Sequence, residues 1–324
     1  MISLMPGPVE IDPRIQAQFQ LPPLSHRGSE FTCRFEGVRA TLSEMTGAPH
    51  VALFTGSGTL ANEAVASCLE GPGLVLINGE FGARIARQAE RWNLPVQTLE
   101  WSWGSSWDFK RIEEALQGVA WVWAVHLETS TGMLNDIGRL TELASAHGVR
   151  VCLDCISSLG AAPVDLTGVW LASGVSGKAL GSYAGVAMVF GSEIPKLSRP
   201  VPKYLDVAEA IMTEGPCFTF SSPLLLALEE ALHGKREYAA LGGLVRGKLR
   251  ERGISPMVDG PLAAPIVTTF VPPSEDFPDT CLKLGFRIGG ESGYLAERGF
   301  VQIATMGAVR DYHIEELFDR LAAC

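Results

Sequence analysis

Lys178 is the residue of this 324-residue chain whose setting first suggests chemistry. It is the only lysine between Arg111 and Pro195, and small or apolar residues surround it. Such surroundings disfavour the charged ammonium and lower the pKa, which leaves a nucleophilic amine suited to forming a Schiff base. The alternative is a lysine whose stem packs on apolar surface and whose head reaches water.

A glycine-containing turn carries a second chemical signal. Ser57, Gly58 and Thr59 follow an apolar run and precede a helical pattern. Backbone N–H groups and hydroxyls at the start of a helix bind anions such as phosphate. The turn is neither a Walker loop nor a full dinucleotide fingerprint, because the lysine and the third glycine are absent. A plain turn is the alternative interpretation.

Asp154 ends the apolar run 149–154. A carboxylate at the end of a buried strand lies where α/β sheets bind ligands, and burial requires that it have a partner. A protonated ring nitrogen is one such partner. Capping of the turn that follows is the structural alternative.

Two further side chains follow predicted strands. Thr129, in His126-Leu-Glu-Thr-Ser-Thr-Gly, offers a hydroxyl that either contacts a cofactor oxygen or caps the next segment. Phe81 either stacks on a ring or is an ordinary core residue. An anion cradle, a stacking aromatic, a hydroxyl, a carboxylate and a lone lysine together match pyridoxal 5'-phosphate. Its phosphate would dock at the helix start, and Asp154 would keep its ring nitrogen protonated.

The elements that position these residues follow an α/β pattern. Apolar runs at 51–54, 74–77, 121–125, 149–154 and 185–190 predict buried strands, and segments 60–69, 83–92, 109–116 and 137–147 predict helices between them. This alternation indicates a large domain with a mostly parallel sheet flanked by helices. We predict that this domain covers residues 1–235.

The pattern changes after the predicted helix that Ser222 and Pro223 begin. A long helix, a strand-like run at 266–271 and a closing helix at 313–322 predict a smaller C-terminal α+β domain, residues 236–324.

Composition excludes several classes of protein. A formal net charge of −10 with no run of basic residues argues against a nucleic-acid partner, because nucleic acids are themselves negatively charged. No apolar run approaches the roughly 18 residues that span a bilayer, so we expect no membrane association. The start of the chain lacks the pattern of a signal peptide, which predicts a cytoplasmic location. Cys152 and Cys155 have no second pair or spaced histidine, and we predict no metal site.

The motifs together resemble the class V aminotransferases, which have fold type I and depend on pyridoxal phosphate. The likeness runs from Pro6-Gly-Pro through Gly56-Ser-Gly-Thr and Gly79-Glu-Phe-Gly-Ala-Arg to Ser176-Gly-Lys. Alanine–glyoxylate or serine–pyruvate and 2-aminoethylphosphonate–pyruvate aminotransferases are the branches that the chain most resembles.

The resemblance implies roles by position. Ser57, Gly58 and Thr59 match the phosphate loop, Phe81 the stacking aromatic, Thr129 the contact to the ring hydroxyl, Asp154 the pyridinium partner and Lys178 the Schiff-base lysine, with Ser176 beside it. Ser221 lies in a segment that matches one reaching into the neighbouring subunit's site, where its hydroxyl would contact the cofactor phosphate. A homodimer is therefore implied.

Three positions depart from the family pattern. Gly177 stands where relatives carry a larger polar residue, and Phe218 replaces a tyrosine. Gln302 occupies the place of an arginine that binds the substrate carboxylate, and glutamine lacks both the charge and the fork geometry. We expect Gly7, Arg27 and Gln302 to face the substrate, and we predict that Arg27, Arg298 or Arg310 supplies the missing charge.

The resulting functional prediction is transfer of an amino group from a small amino donor to a 2-keto acid such as pyruvate or glyoxylate. Lys178, once freed by the amino substrate, would act as general base and acid. A lyase or desulfurase of the same fold is one alternative, although desulfurases usually place a histidine where Gly177 stands. A pyridoxal-phosphate-binding protein with reduced activity, suggested by Gln302, is the other.

Overall fold

The computed structural model describes residues 1–197, 199–234 and 237–323. The helices are α1 (Pro13–Ala17), α2 (Ser29–Thr46), α3 (Gly58–Ser67), α4 (Glu80–Arg91), α5 (Phe109–Ala115), α6 (Ile137–Ala146), α7 (Val207–Met212), α8 (Ser222–Leu232), α9 (Tyr238–Glu251), α10 (Phe277–Lys283), α11 (Gly293–Ala296) and α12 (Asp311–Ala322). The strands are β1 (Ile2–Leu4), β2 (His50–Gly56), β3 (Gly73–Ile77), β4 (Val96–Glu100), β5 (Trp121–Val125), β6 (Leu127–Glu128), β7 (Met133–Leu134), β8 (Arg150–Asp154), β9 (Leu171–Val175), β10 (Gly185–Gly191), β11 (Val267–Phe270), β12 (Phe286–Ile288) and β13 (Val301–Ala304).

The central sheet has seven strands in the order β2-β10-β9-β8-β5-β3-β4. Only β10 runs against its neighbours, pairing antiparallel with both β2 and β9. The other neighbouring pairs are parallel. The α/β prediction with a mostly parallel sheet is confirmed.

Both faces of this sheet are buried, which explains the nearly continuous apolar character of its strands. Alternate residues of β5 belong to different packing clusters. Val122 and Ala124 pack in one cluster with residues of α2 and α6. Trp121 and Trp123 pack in the other with residues of α3 and α4. The period of two along a strand therefore divides the core into two layers.

The chain topology gathers the carboxyl ends of five strands at one edge of the sheet. β2, β3, β5, β8 and β9 all run in the same direction, because β10 is antiparallel to both of its neighbours. The ends of these strands and the segments that follow them carry the residues that the sequence predicts to bind the cofactor within one subunit, which are Ser57, Gly58, Thr59, Phe81, Thr129, Asp154, Ser176 and Lys178. Ser221, predicted to contact the phosphate across a dimer, lies at the start of α8 instead.

The C-terminal part has its own small sheets and its own packing. β11 pairs with β13 antiparallel, and β1 pairs with β12 parallel. Leu4 of β1 packs in the same cluster as residues of α9 and α12. The first residues of the chain therefore add a strand to the C-terminal part. The predicted boundary between residues 235 and 236 lies outside the described residues and stays a prediction.

Two elements differ from the sequence-based expectations. The sequence reading did not predict α2, although Phe31, Phe35, Val38 and Leu42 are buried along one of its faces at helical spacing. Between Asp154 and Lys178, a stretch described throughout, the structure has strand β9 and turns but no helix. The spacing of 24 residues between these positions leaves room for an αβ unit, but the chain forms only the strand there.

Among the described residues, no helix is both long and apolar enough to cross a membrane. Cys152 and Cys155 are buried without a disulfide, and burial raises the pKa of the Cys155 thiol to about 12. Such a thiol is protonated and unreactive near neutral pH.

Candidate active site

The loop between β9 and β10 carries Lys178. Ser176, at its start, is fully buried; its hydroxyl donates to Tyr183 O at 2.6 Å and accepts from Val186 N at 3.2 Å. These bonds hold the two ends of the loop together. Lys178 Nζ donates to Pro6 O at 2.5 Å. The amine is thereby fixed against the N-terminal segment of the chain.

The pKa of Lys178 is lowered from its ordinary value to about 8, and burial is the main cause. The negative charge of Asp154 opposes this shift, and the positive charge of Arg84 adds to it. A pKa near 8 leaves a usable fraction of neutral amine at physiological pH. The sequence-based expectation of a nucleophilic lysine agrees with this environment.

Asp154 is a buried carboxylate held by neutral donors. Its Oδ2 accepts from Asn62 Nδ2 at 2.8 Å, and its Oδ1 accepts from Ile156 N at 2.9 Å. Ser173 Oγ donates to Asn62 Oδ1 at 2.6 Å and so fixes the amide. Within the described residues, no cation lies within 4 Å of Asp154 in an ion pair. Burial consequently raises the pKa of this carboxyl.

The start of α3 provides an anion-binding position. Ser57 is its N-cap, and no side chain caps the N–H groups of the first turn. The first turn also contains no acidic residue. The exposed hydroxyls of Ser57 and Thr59 stand beside these N–H groups. A helix start with unsatisfied donors and no nearby carboxylate favours a phosphate.

A cavity of about 350 Å³ lies beside Asp154 and the start of α3, and Lys178 is not among the described residues that line it. Thr59, Asp154 and Phe81 line it, and Ile156 and Arg84 lie on its wall. A ring that contacted Asp154 here would lie among an aromatic side chain, an aliphatic side chain and a hydroxyl. The donor set and the size of this cavity therefore fit a phosphorylated, protonated aromatic ring.

Thr129 is buried at the end of β6, and its hydroxyl donates to Ser157 Oγ at 2.7 Å. Ser157 lies three residues beyond Asp154, so the hydroxyl pair stands near the carboxylate. Gln302, on β13, donates from Nε2 to Thr129 O at 2.6 Å and to Thr269 Oγ1 at 2.8 Å.

Comparison with known proteins decides the family. The sequence profile described as "Aminotransferase class-V" matches residues 21–201, more than half of the chain. The chain belongs to the class V aminotransferase family. The matched range includes the α3 start, Asp154 and Lys178, but Gly7 and Gln302 lie outside it.

Individual relatives agree with the family assignment. A 2-aminoethylphosphonate–pyruvate transaminase of Vibrio vulnificus is 30% identical, and the match covers 82% of this chain and 80% of that protein. Among solved structures, an aspartate aminotransferase of subgroup IV from Thermus thermophilus has a TM-score of 0.91 at 26% identity, with 100% and 98% of the two chains covered. An alanine–glyoxylate aminotransferase from Nostoc sp. has a TM-score of 0.87 at 26% identity, with 99% and 94% covered.

In this class V aminotransferase, Gln302 is wholly buried. Its amide nitrogen also lies 3.2 Å from Ser130 O, so three acceptors surround it. Two of these are backbone carbonyls of the segment that carries Thr129. In this arrangement the side chain joins two parts of the protein and does not present a charge to the cavity.

The arginines predicted to replace the missing charge lie in different places. Arg310 faces Asp12 at 3.7 Å, and Arg298 stacks on Trp103 with its guanidinium carbon 3.9 Å from the ring centroid. Arg27 is exposed. None of the three lines the cavity, as far as the described residues show.

Other predicted residues lie at the periphery of the cavity. A Cβ added to Gly7 would lie 3.3 Å from Lys178 Nζ, so this glycine borders the amine directly. Ser221 is the N-cap of α8 and does not line the cavity in the part of the chain that is described. Its predicted role in a partner subunit's site stays a prediction.

The sequence did not predict seven of the described residues that line this cavity, which are Asn62, Glu63, Arg84, Arg87, Gln88, Arg91 and Ile156. Asn62 lies one turn beyond Thr59 and orients Asp154, Ile156 faces the cavity, and Arg84 lies one turn beyond Phe81. A buried polar residue one helical turn after an anion loop is the signal that could have identified Asn62. The position of Arg84 at i+3 from the stacking aromatic offers a similar signal.

Proposed function

We propose that this aminotransferase uses pyridoxal 5'-phosphate to move an amino group from a small amino donor to a 2-keto acid of the pyruvate or glyoxylate type. One observation carries the cofactor assignment. A buried carboxylate without a cationic partner, Asp154, and a buried lysine with a lowered pKa, Lys178, stand at the ends of neighbouring strands. A pyridinium nitrogen satisfies the first and an aldehyde the second.

The residues that would hold the cofactor divide by chemistry. The α3 start, with Ser57, Gly58 and Thr59, would bind the phosphate, and Asp154 would face the ring nitrogen. Phe81 would stack on the ring, and Thr129 would contact the ring hydroxyl. When bound, pyridoxal phosphate accepts the electrons released at the carbon next to the amino group.

The protein's own part in the reaction is proton transfer and positioning. Lys178, as a neutral amine, can take a proton from the donor carbon and return it to a neighbouring carbon. Pro6 O fixes the position of this amine through a hydrogen bond. With the cofactor bound, Asp154 would hold a proton on the ring nitrogen, because a buried carboxylate is stabilised by an opposite charge.

The lowered pKa of Lys178 predicts a pH dependence of cofactor incorporation. The neutral amine is the reactive form, so the rate of covalent incorporation should rise with pH and level off above about pH 8. An ordinary lysine would level off near its usual pKa of about 10.4. Stopped-flow absorbance from about pH 6 to pH 10 measures this profile.

The charged groups that act on Lys178 provide the control. Replacing Asp154 by Asn removes the charge that raises the pKa of Lys178 and should move the midpoint to lower pH. A rate that keeps rising through pH 10, in both proteins, would contradict the prediction.

Among the described residues, Arg84, Arg87 and Arg91 line the cavity, and we propose that Arg84, whose charge acts on Lys178, meets an anionic group of the substrate. The guanidinium carbon of Arg84 lies 4.8 Å from the centroid of Phe81. The Nε atom donates to Glu80 Oε1 at 3.0 Å. The positive charge of Arg84 contributes to lowering the pKa of Lys178. Gln302, by contrast, carries no charge.

We expect Arg84→Met to raise KM for donors that carry a carboxylate or phosphonate by about 10- to 100-fold, because charge-assisted hydrogen bonds are lost. Steady-state kinetics with one acceptor held constant measures the change. Arg298→Met and Arg310→Met, assayed in parallel, test the positions predicted from the sequence. Unchanged KM in Arg84→Met would exclude Arg84 from substrate binding.

The desulfurase alternative meets a steric obstacle at Gly177. A Cβ at this position would lie 2.6 Å from the Cα of Ala184, which is backbone. The histidine that desulfurases usually carry before the lysine would therefore require the loop to move.

The homodimer stays a prediction from the family resemblance. Phe218 packs 5.0 Å from Tyr204, between ring centroids, and Tyr204 Oη donates to Thr55 O beside the α3 start. These contacts place Phe218, three residues before Ser221, near the end of β2 that leads into the phosphate loop.

The cytoplasmic location likewise stays a prediction.

A donor panel tests the proposed function. Purified protein loaded with pyridoxal phosphate is mixed with alanine, serine, aspartate or 2-aminoethylphosphonate, with pyruvate or glyoxylate as acceptor. Amino transfer to the acceptor establishes a transaminase and identifies the donor. Breakdown of the donor without an aminated acceptor would indicate a lyase, and no turnover with retained cofactor would indicate a binding protein.

A further inference from the structure

Glu128 is a fully buried carboxylate that the proposed reaction does not use. It ends β6 and directly precedes Thr129. It does not line the cavity. A charged side chain in such a position requires compensation by several donors.

Four donors surround this carboxylate, and they come from two segments of the chain. Oε2 accepts from Gly82 N at 3.0 Å, and Oε1 accepts from Phe81 N at 3.3 Å. Oε1 also accepts from Ser130 Oγ at 2.5 Å and Ser130 N at 3.2 Å. Ser130 Oγ accepts in turn from Glu80 N at 2.9 Å. The carboxylate form, which only accepts, matches this set of donors.

The donors on α4 are the N–H groups of its first turn, which have no partner within the helix. A buried negative charge at this end of a helix is favourable. Gly79, just before the helix, has no Cβ; one added there would lie 2.4 Å from Glu128 Cγ. The close approach of α4 to Glu128 therefore depends on glycine at this position.

We infer that Glu128 is a positioning residue that sets the location of Phe81 relative to Thr129. The inference rests on the proposed function, in which these two residues contact the cofactor ring. Glu128 is covalently next to one of them and is hydrogen-bonded to the backbone of the other. Loss of its charge would release the start of α4 and change the distance between the two ring contacts.

Glu128→Gln tests this inference, because glutamine preserves the volume and one acceptor but turns an N–H₂ group toward backbone donors. Tryptophan fluorescence titration with pyridoxal phosphate measures Kd, and visible circular dichroism reports the geometry of the bound ring. We expect Kd to rise about 10- to 100-fold and the visible dichroic band to shrink. Glu142→Gln, an exposed glutamate on α6, should leave both unchanged.

The outcomes separate the inference from the proposed function. Wild-type protein that does not bind pyridoxal phosphate would refute the function. Wild-type binding with an unchanged Kd and dichroic band in Glu128→Gln would refute the inference alone. If Glu128→Gln does not fold, Ser130→Ala removes one donor and leaves the carboxylate in place. That variant should raise Kd by a few-fold with a weaker dichroic band, and no change in either would overturn the inference.

Discussion

Lys178→Ala is expected to abolish transamination, with kcat reduced by more than about 10⁴-fold. The substitution removes both the nucleophile that holds the cofactor and the base that moves the proton. The surrounding loop should persist, because its ends are joined through Ser176 rather than through the lysine. Initial rates with the best donor of the panel measure the loss.

Two further measurements make this prediction specific. Borohydride reduction of wild-type enzyme followed by peptide mapping should find the pyridoxyl group on Lys178 only. Lys196→Ala, at an exposed lysine outside the site, should retain wild-type rates. Partial recovery of Lys178→Ala by added small primary amines would support the role as base. A substantial residual rate without added amine would show that another group does this work.

Asp154→Asn is expected to lower kcat by about 10²- to 10³-fold while the protein keeps its fold. The amide has nearly the shape of the carboxylate and can still accept from Ile156 N, although its N–H₂ group then meets Asn62 Nδ2 and the hydrogen bond to Asn62 is lost. It cannot supply the negative charge that keeps a proton on the ring nitrogen. The loss should therefore appear in kcat more than in the thermal midpoint.

The two effects are separated by assaying kcat and thermal unfolding on the same samples. Asp319→Asn, at an exposed aspartate on α12, is the matched control and should change neither. Burial raises the pKa of the Asp154 carboxyl, so this group takes up a proton as the pH falls. The asparagine of Asp154→Asn cannot take up that proton. Equal kcat in Asp154→Asn and wild type would exclude Asp154 as the partner of a ring nitrogen.

Short stretches of sequence predicted many of the residues proposed for this site. Apolar runs predicted β2, β3, β5, β8 and β10. Ser57, Phe81, Thr129 and Asp154 end or follow such runs, whereas Lys178 follows β9, which the sequence did not predict. Because the carboxyl ends of co-directional strands meet at one sheet edge, residues 24 positions apart, such as Asp154 and Lys178, could be placed together before any coordinates. In the structure β8 pairs in parallel with β9, which precedes Lys178, and the shared role of the two residues at a cofactor stays a prediction.

Only the tertiary structure decided the contacts that tune these groups. Asn62 reaches Asp154 across 92 residues of sequence, and Gln302 reaches Thr129 across 173. Sequence periodicity reports which face of an element is buried, but it does not report which distant backbone carbonyl a buried amide will meet. For this reason Gln302 looked like a weakened substrate contact, whereas the fold uses its nitrogen to fasten β13 to the Thr129 segment.

The environment of Lys178 likewise depends partly on local sequence and partly on the folded arrangement. Its small, apolar neighbours along the chain predicted a lowered pKa, and burial is indeed the main cause. The opposing effects of Asp154 and Arg84, and the bond to Pro6 O, depend on the folded arrangement. Local sequence determined the kind of chemistry that this chain can perform. The packing of distant segments determined the charges that act on the lysine, because electrostatic effects depend on distance in space rather than along the chain.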